Sequence, residues 1–290
     1  MSAGSLRHAT PPGVAAVEQL RVVGLSMRRE MLVVAAALLG LLILAPMSQE
    51  IMLEIGPLLL PTDLGPLAFT VGIVPPLLVW RREAFFGEST LWLLPVEHTA
   101  HARAKVAAGW LWLMGVVGMG VAVLIGLILI GHGTDGFRGM VWFATDVAAA
   151  RAGTGGLEQI PWATPVWGWA HPFFVATCTY LGATAILLGL RRPFHWAIGG
   201  WIVLMAIGLS AEVTTAAWGN ALLSGYDVAA DGLVTGGHDT RQVWVTLPTG
   251  RAYWAFTELP TFSSWLSSIA PWTLGTFAAC WLATRRSRQV

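Results

Sequence analysis

Long apolar runs alternate with short polar stretches along the chain. A helix needs about 20 apolar residues to cross a hydrocarbon core of about 30 Å. Runs of roughly that length fall at 31–47, 64–80, 106–130, 170–190, 194–218 and 265–284. They predict an all-α polytopic membrane protein with six transmembrane helices. The second run is short and carries Pro66, Pro75 and Pro76. Proline removes a backbone donor, so this span is expected to bend, or to be completed by Leu58–Leu60 entering as a broken helix. Before the first run, apolar Val17, Leu20, Val23 and Met27 alternate with charged Glu18, Arg21 and Arg28. That pattern predicts an N-terminal amphipathic helix lying at the membrane interface. The first ten residues read as disordered.

An even number of spans puts both termini on one side, and the basic residues choose the side. Only Arg138, Arg151, Arg241 and Arg251 fall opposite the termini, against thirteen basic residues on the terminal side. Both termini are therefore expected in the cytoplasm, in a multi-pass protein of the cytoplasmic membrane. Residues 1–30 form a tail with the amphipathic helix, 31–284 the six-span domain, and 285–290 a second tail. The first apolar run reads as a retained anchor, because thirty residues precede it and Ala45-Pro46-Met47 offers no small-x-small cleavage site.

Two outer loops, 131–169 and 219–264, are longer than simple connections and could build a small external cap. In the second, 242–247 and 251–256 flank Pro248-Thr249-Gly250, the pattern of a β-hairpin. The acids scattered through both loops read as solvated surface. Trp80, Trp110, Trp112, Trp167, Trp169, Trp196, Trp218 and Trp265 stand near span ends and predict an interfacial aromatic belt, with none assigned to a ligand.

Composition agrees with the pattern: 55% of residues are hydrophobic and only 11% charged, where a soluble domain carries about 25%. The net charge of +1 and a single lysine, Lys105, leave no polybasic surface for nucleic acid. Cys178 and Cys280 both lie in apolar runs and read as small buried hydrophobes, not as a bridge.

Catalytic patterns are mostly excluded. Glu97-His98-Thr99-Ala100-His101 has the wrong order and spacing for the zinc protease motif, so no metal site is expected there. Gly208-Leu209-Ser210-Ala211 would need a histidine on a neighbouring span to act as a serine nucleophile, and His171 and His195 sit at span ends. Glu212 is the only charged residue well inside a predicted span. Because a charge at the bilayer centre costs about 2.5–3.5 kcal/mol, it should face protein or water. Two readings of it stay open: a polar point on a substrate path, or a carboxyl near Trp218 that bonds Thr215 or meets a vestibule. The lone lysine follows Ala104 and not a glycine, so the chain has no phosphate-cradling loop for ATP.

The polar island between the second and third runs holds Glu83, Gly87, Glu88, Ser89-Thr90, Leu93-Leu94-Pro95-Val96 and Lys105. It resembles the corresponding segment of the membrane subunits of type 2 ATP-binding cassette exporters, the ABC-2 type permeases. There the segment reads loosely as an acid, Gly-Thr, Leu-Leu-x-x-Pro-Val-Ser-Arg and Gly-Lys. Ser89-Thr90 stands for Gly-Thr, Glu97-His98 for Ser-Arg, and Ala104 for the glycine before lysine. The motif spans about 25 residues, while the span layout, cytoplasmic termini and large last outer loop agree with the family across nearly the whole chain.

The resemblance implies a cytoplasmic coupling helix from Arg82 to Leu94 within segment 81–105, ended by Pro95. Arg82, Glu83, Phe86, Gly87, Glu88, Thr90 and Pro95 would form its contacts with a separate ATPase subunit. It further implies a second permease subunit, identical or different, and an exporter driven from outside this chain. No cofactor is expected in the chain itself, since ATP and Mg would be bound by the partner ATPase, and no catalytic residue is assigned. The competing readings are a polytopic membrane enzyme using Glu212 and a membrane scaffold that transports nothing.

Overall fold

The computed structural model describes residues 64–86, 98–190, 217–238, 241–246 and 252–286 as continuous stretches, with isolated positions between 17 and 40 and between 193 and 206. Its elements in chain order are α1 (Gly65–Phe86), α2 (His98–His132), β1 (Arg138–Ala144), α3 (Val147–Arg151), β2 (Leu157–Ala163), α4 (His171–Gly189), α5 (Ala217–Val234), β3 (Gln242–Thr246), β4 (Ala252–Phe256) and α6 (Phe262–Arg286). Three helical segments are long and apolar enough to cross a membrane: Ala102–Ile130, Val166–Gly189 and Phe262–Arg285. They answer to the third, fourth and sixth expected spans. Gly65–Trp80 is a shorter apolar helix at the second. The first and fifth expected spans lie largely outside the described residues.

Helix α1 continues as one helix through Pro75 and Pro76, where a bend was anticipated. Each proline removes one donor, so only the carbonyls of Val71 and Gly72 lose their helical partners, and a helix tolerates that when neighbours cover it. Both prolines are fully buried. Leu58–Leu60 lie outside the described residues.

Helix α4 packs against both α1 and α6 and forms the centre of the bundle. Lipid tails are as apolar as leucine, so burying hydrophobic area does not by itself drive spans together; close approach and polar contacts do. The α1–α4 contact shows this. A Cβ on Gly72 would lie 2.8 Å from the Ala176 carbonyl oxygen, and one on Gly109 of α2 would collide with the Tyr180 hydroxyl. That hydroxyl donates to the Val106 carbonyl at 2.8 Å. Around these approaches Ala68, Val71, Leu113, Val116, Val175 and Tyr180 form the main core. Outward faces stay apolar, as at Leu274 and Phe277 of α6.

The outer loops add structure to the expected all-α fold. Loop 219–264 opens with the 18-residue helix α5. Loop 131–169 contributes a hairpin of its own, β1 with β2, paired from Arg138↔Ala163 to Ala144↔Leu157. The anticipated hairpin β3–β4 is present, paired from Gln242↔Phe256 to Thr246↔Ala252. A parallel contact at Phe143↔Phe256 joins the two hairpins into one sheet of order β2-β1-β4-β3. Pro161 falls in β2, an edge strand, where a missing N–H costs no ladder bond. One face of the sheet is covered by α3, with Val147 and Ala150 on Ala144, Val243, Val245 and Ala255. Asp146 caps α3 by accepting from the amides of Ala148 and Ala149 at 2.9 and 3.1 Å.

The sheet lies where α2 ends and where α4 and α6 begin. At the opposite end stand Trp80, Arg103, Lys105 and Arg285, so the bundle has a capped end and a basic end.

Two glycine substitutions separate packing from propensity. Gly72→Ala should lower the thermal midpoint in detergent by the equivalent of about 1–3 kcal/mol, because its neighbour is backbone and cannot yield. Gly115→Ala, with nothing within 4 Å of the added carbon, should leave the midpoint unchanged or raise it. Equal midpoints for the two variants would mean that α1 and α4 do not approach at Gly72.

Candidate functional site

At the basic end, α1 carries the backbone helix past Trp80 to Phe86, so the helix expected to begin at Arg82 is, this far, the continuation of the apolar helix α1. Arg82, Glu83 and Phe86 lie on that last stretch. Gly87, Glu88, Thr90 and Pro95 lie outside the described residues, and the chain is described again from His98, where α2 starts. Trp80 is buried, and the Lys105 ammonium sits 4.6 Å from its ring centroid. That contact pins the base of α1 to the base of α2 on either side of the 81–105 segment. Glu212 also lies outside the described residues, as does Glu97.

Both cysteines are free and buried, and Cys178 Sγ lies 3.5 Å from Thr273 Oγ1 of α6. Among the described residues no three His, Cys, Asp or Glu side chains gather closely enough to hold a metal ion. An apolar cleft between α1 and α2, lined by Leu64, Leu67, Val71, Val117, Val121 and Pro172 among others, offers no polar group to a ligand.

The capped end contains a polar arrangement that the sequence pattern did not reveal. His171, at the start of α4, is completely buried. Its Nδ1 lies 3.1 Å from Trp265 Nε1 of α6, and its Nε2 lies 2.9 Å from the carbonyl of Val234, the last residue of α5. An indole nitrogen only donates, so Nδ1 accepts, Nε2 carries the proton, and the Val234 oxygen accepts from it. Both ring nitrogens are thus committed, and His171 is not free to act as a base, which removes one histidine from the enzyme reading.

Gly236 and Gly237, at φ +71° and +79°, then turn the chain out of α5. A Cβ on Gly236 would lie 2.7 Å from Trp265 Cδ1 and 3.3 Å from His171 Cε1, so only glycine fits this approach. Thr235 bonds Asp231 through its hydroxyl and accepts from the His238 amide.

His238 follows, 3% exposed. Its ring packs against Trp167 and against Phe256 of β4, with centroids 6.4 and 6.2 Å away. Neither ring nitrogen has a hydrogen-bond partner among the described residues. Burial is the main cause that pushes His238 down to about 4; the charge of Arg241 acts the same way, and Asp231 opposes it. The ring is therefore neutral at ordinary pH and fills the seam between the sheet and the bundle as an aromatic body.

The expected aromatic belt is only partly external. Trp110 and Trp196 are exposed, but Trp80 and Trp265 are each only 3% exposed and belong to the interior. Trp265 turns inward because His171 gives its N–H a partner, and Trp80 because Lys105 covers it. His195, by contrast, is exposed on a short helical stretch. Comparison of the chain with family models, with curated proteins and with solved structures finds no match.

The seam makes a pH prediction. The folded value of His238 lies below its ordinary 6.5, so the folded state binds that proton less tightly than the unfolded one. Stability should be full above pH 6.5 and fall progressively as the pH drops toward about 4, by up to about 3 kcal/mol. His238→Phe should flatten the thermal midpoint across that window. An unchanged acid slope in the variant would place the titrating group elsewhere.

Proposed function

We propose that the chain is the membrane-spanning permease subunit of an ATP-binding cassette exporter, paired with a second permease subunit and powered by a separate ATPase. The observation that carries this reading is the position of segment 81–105. It joins two antiparallel helices at the basic end of the bundle, with its two bases pinned together by Lys105 on Trp80 and the folded cap at the far end. A surface that receives force from another chain must lie outside the hydrocarbon and be rigidly continuous with the spans. Helix α1 meets the second condition by running unbroken from Gly65 into Arg81–Phe86.

In this reading nucleotide-driven closure of two ATPases moves Arg82, Glu83, Phe86, Gly87, Glu88, Thr90 and Pro95 as one element. The displacement passes along α1 and α2 and alternates access between the two sides. The chain itself performs no catalysis; ATP and Mg stay on the partner. The cargo is of hydrophobic or amphipathic character, in keeping with the apolar walls of the described spans.

Purification of the full chain from its native membrane should bring down an ATPase subunit. Glu83→Ala together with Glu88→Ala should weaken that association about tenfold, as expected when charged contacts at a docking surface are truncated. An ATPase retained with undiminished affinity and undiminished hydrolysis in the double variant would sink the coupling assignment.

A further inference from the structure

Arg103 of α2 and Arg285 of α6 converge on one indole at the basic end. Their guanidinium carbons lie 4.2 and 4.9 Å from the centroid of the Trp281 ring. The two cations therefore lie no more than about 9 Å from each other, close enough for one phosphate to accept from both. Neither guanidinium is in an ion pair among the described residues. Both side chains are exposed, and Trp281 is 39% exposed. Two positive charges held this close repel each other, and stacking on a shared ring offsets that only in part. An anion between them would relieve the strain.

Directly along α6 from this pair the surface is apolar and open. Leu274 and Phe277 stand 71% and 60% exposed, spaced with Trp281 so that the three share one helical face. From Trp281 to Leu274 is about 10 Å along the axis, toward the middle of the span. The molecule that fits a paired cation at the membrane surface and an apolar stripe running inward has an anionic head and a hydrocarbon tail. A free anion would use only the arginines, and a neutral lipid only the stripe.

We propose that Arg103, Arg285 and Trp281 form a binding site for the headgroup of an anionic phospholipid in the leaflet at the basic end, with an acyl chain lying over Phe277 and Leu274. The phosphate accepts from both guanidiniums, and Trp281 holds the two side chains in a common position. The site ties α2 to α6 across a junction where their own side chains make few contacts. It stands independently of the transport reading, since it requires only that these helices cross a bilayer.

The test uses the full chain purified in detergent and native mass spectrometry with equal amounts of phosphatidylglycerol and phosphatidylcholine. Each guanidinium near an anionic headgroup should favour the anionic lipid about fivefold, and the pair about 30-fold. Arg103→Gln with Arg285→Gln should abolish that preference, while Arg138→Gln at the capped end should leave it intact. Should the double variant fail to purify, each single Gln variant should lower the preference about fivefold. Equal retention of the two lipids by the unaltered protein would overturn the proposal, as would a preference that survives in the double variant or stays undiminished in either single one. So would loss of the preference in Arg138→Gln, or displacement of the lipid by millimolar inorganic phosphate, which would make this a free-anion site.

Discussion

The bond chain from the Trp265 indole through His171 to the Val234 carbonyl is the constraint on which the capped end depends. It joins α6, α4 and α5 through one imidazole. Each of its members would be costly to bury alone: an indole N–H, a ring with a donor and an acceptor, and a carbonyl at a helix terminus. Together they leave nothing unpaired. Because the indole fixes the tautomer, the ring cannot turn over without losing both bonds, so three elements are held in one relative position. Gly65 adds a fourth, since a Cβ there would run into the same Val234 carbonyl. The first residue of α1 thus rests against the atom that His171 holds.

The sheet above this point follows from the bundle. Its two hairpins come from loops separated by α4 and α5, and among the described residues their one backbone register pair is Phe143↔Phe256. A single parallel contact is too little to bring distant segments together against the entropy of closing the loop. The bundle contributes, since β1 follows α2 and β4 precedes α6 along the chain. Phe256 then serves both parts: its backbone joins the hairpins, and its ring packs on His238 and on Trp162 of β2. His238 is consequently a filler chosen for shape, and its nitrogens, unpartnered among the described residues, are tolerated only while it stays neutral.

Much of the helical layout was legible in the sequence, because apolar runs near 20 residues are the strongest signal a chain can give. The spans near 170–190 and 265–284 and the hairpin flanking Pro248-Thr249-Gly250 follow directly from length and alternation. What escaped was decided by tertiary contact. β1 is a run of aromatic and branched residues, Met140-Val141-Trp142-Phe143, but β2 carries Pro161, which lowers any strand expectation and is admissible only because β2 is an edge. α5 begins in an apolar run and ends in Gly232-Leu233-Val234, so its glycines read as loop. Trp80 and Trp265 look like interfacial residues by position, and nothing in a linear pattern says that a lysine or a histidine will cover them from another helix. His238 sits among glycines and acids in a stretch that resembles solvated surface. Its burial is visible only once Trp167 and Phe256 arrive from other loops.

Force applied at one end of such a molecule reaches the other through few routes, and α1 is the most direct. Its 22 residues span about 33 Å. One terminus touches the His171 junction at Gly65, and the other enters the proposed coupling segment at Phe86. Halfway along, Pro75 and Pro76 remove two backbone bonds where Gly72 packs against α4. The helix therefore lacks two of its own bonds near the point where α4 approaches it closely. A displacement of the 81–86 end is confined by Lys105 on Trp80 to a motion shared with α2. It must then either pivot about the Gly72 contact or slide the whole rod against Val234. Pivoting leaves Gly65 in place, whereas sliding would drive it against the Val234 carbonyl, which accepts from His171. The lower-cost motion is rotation about Gly72, which leaves the cap fixed while the basic ends of α1 and α2 move.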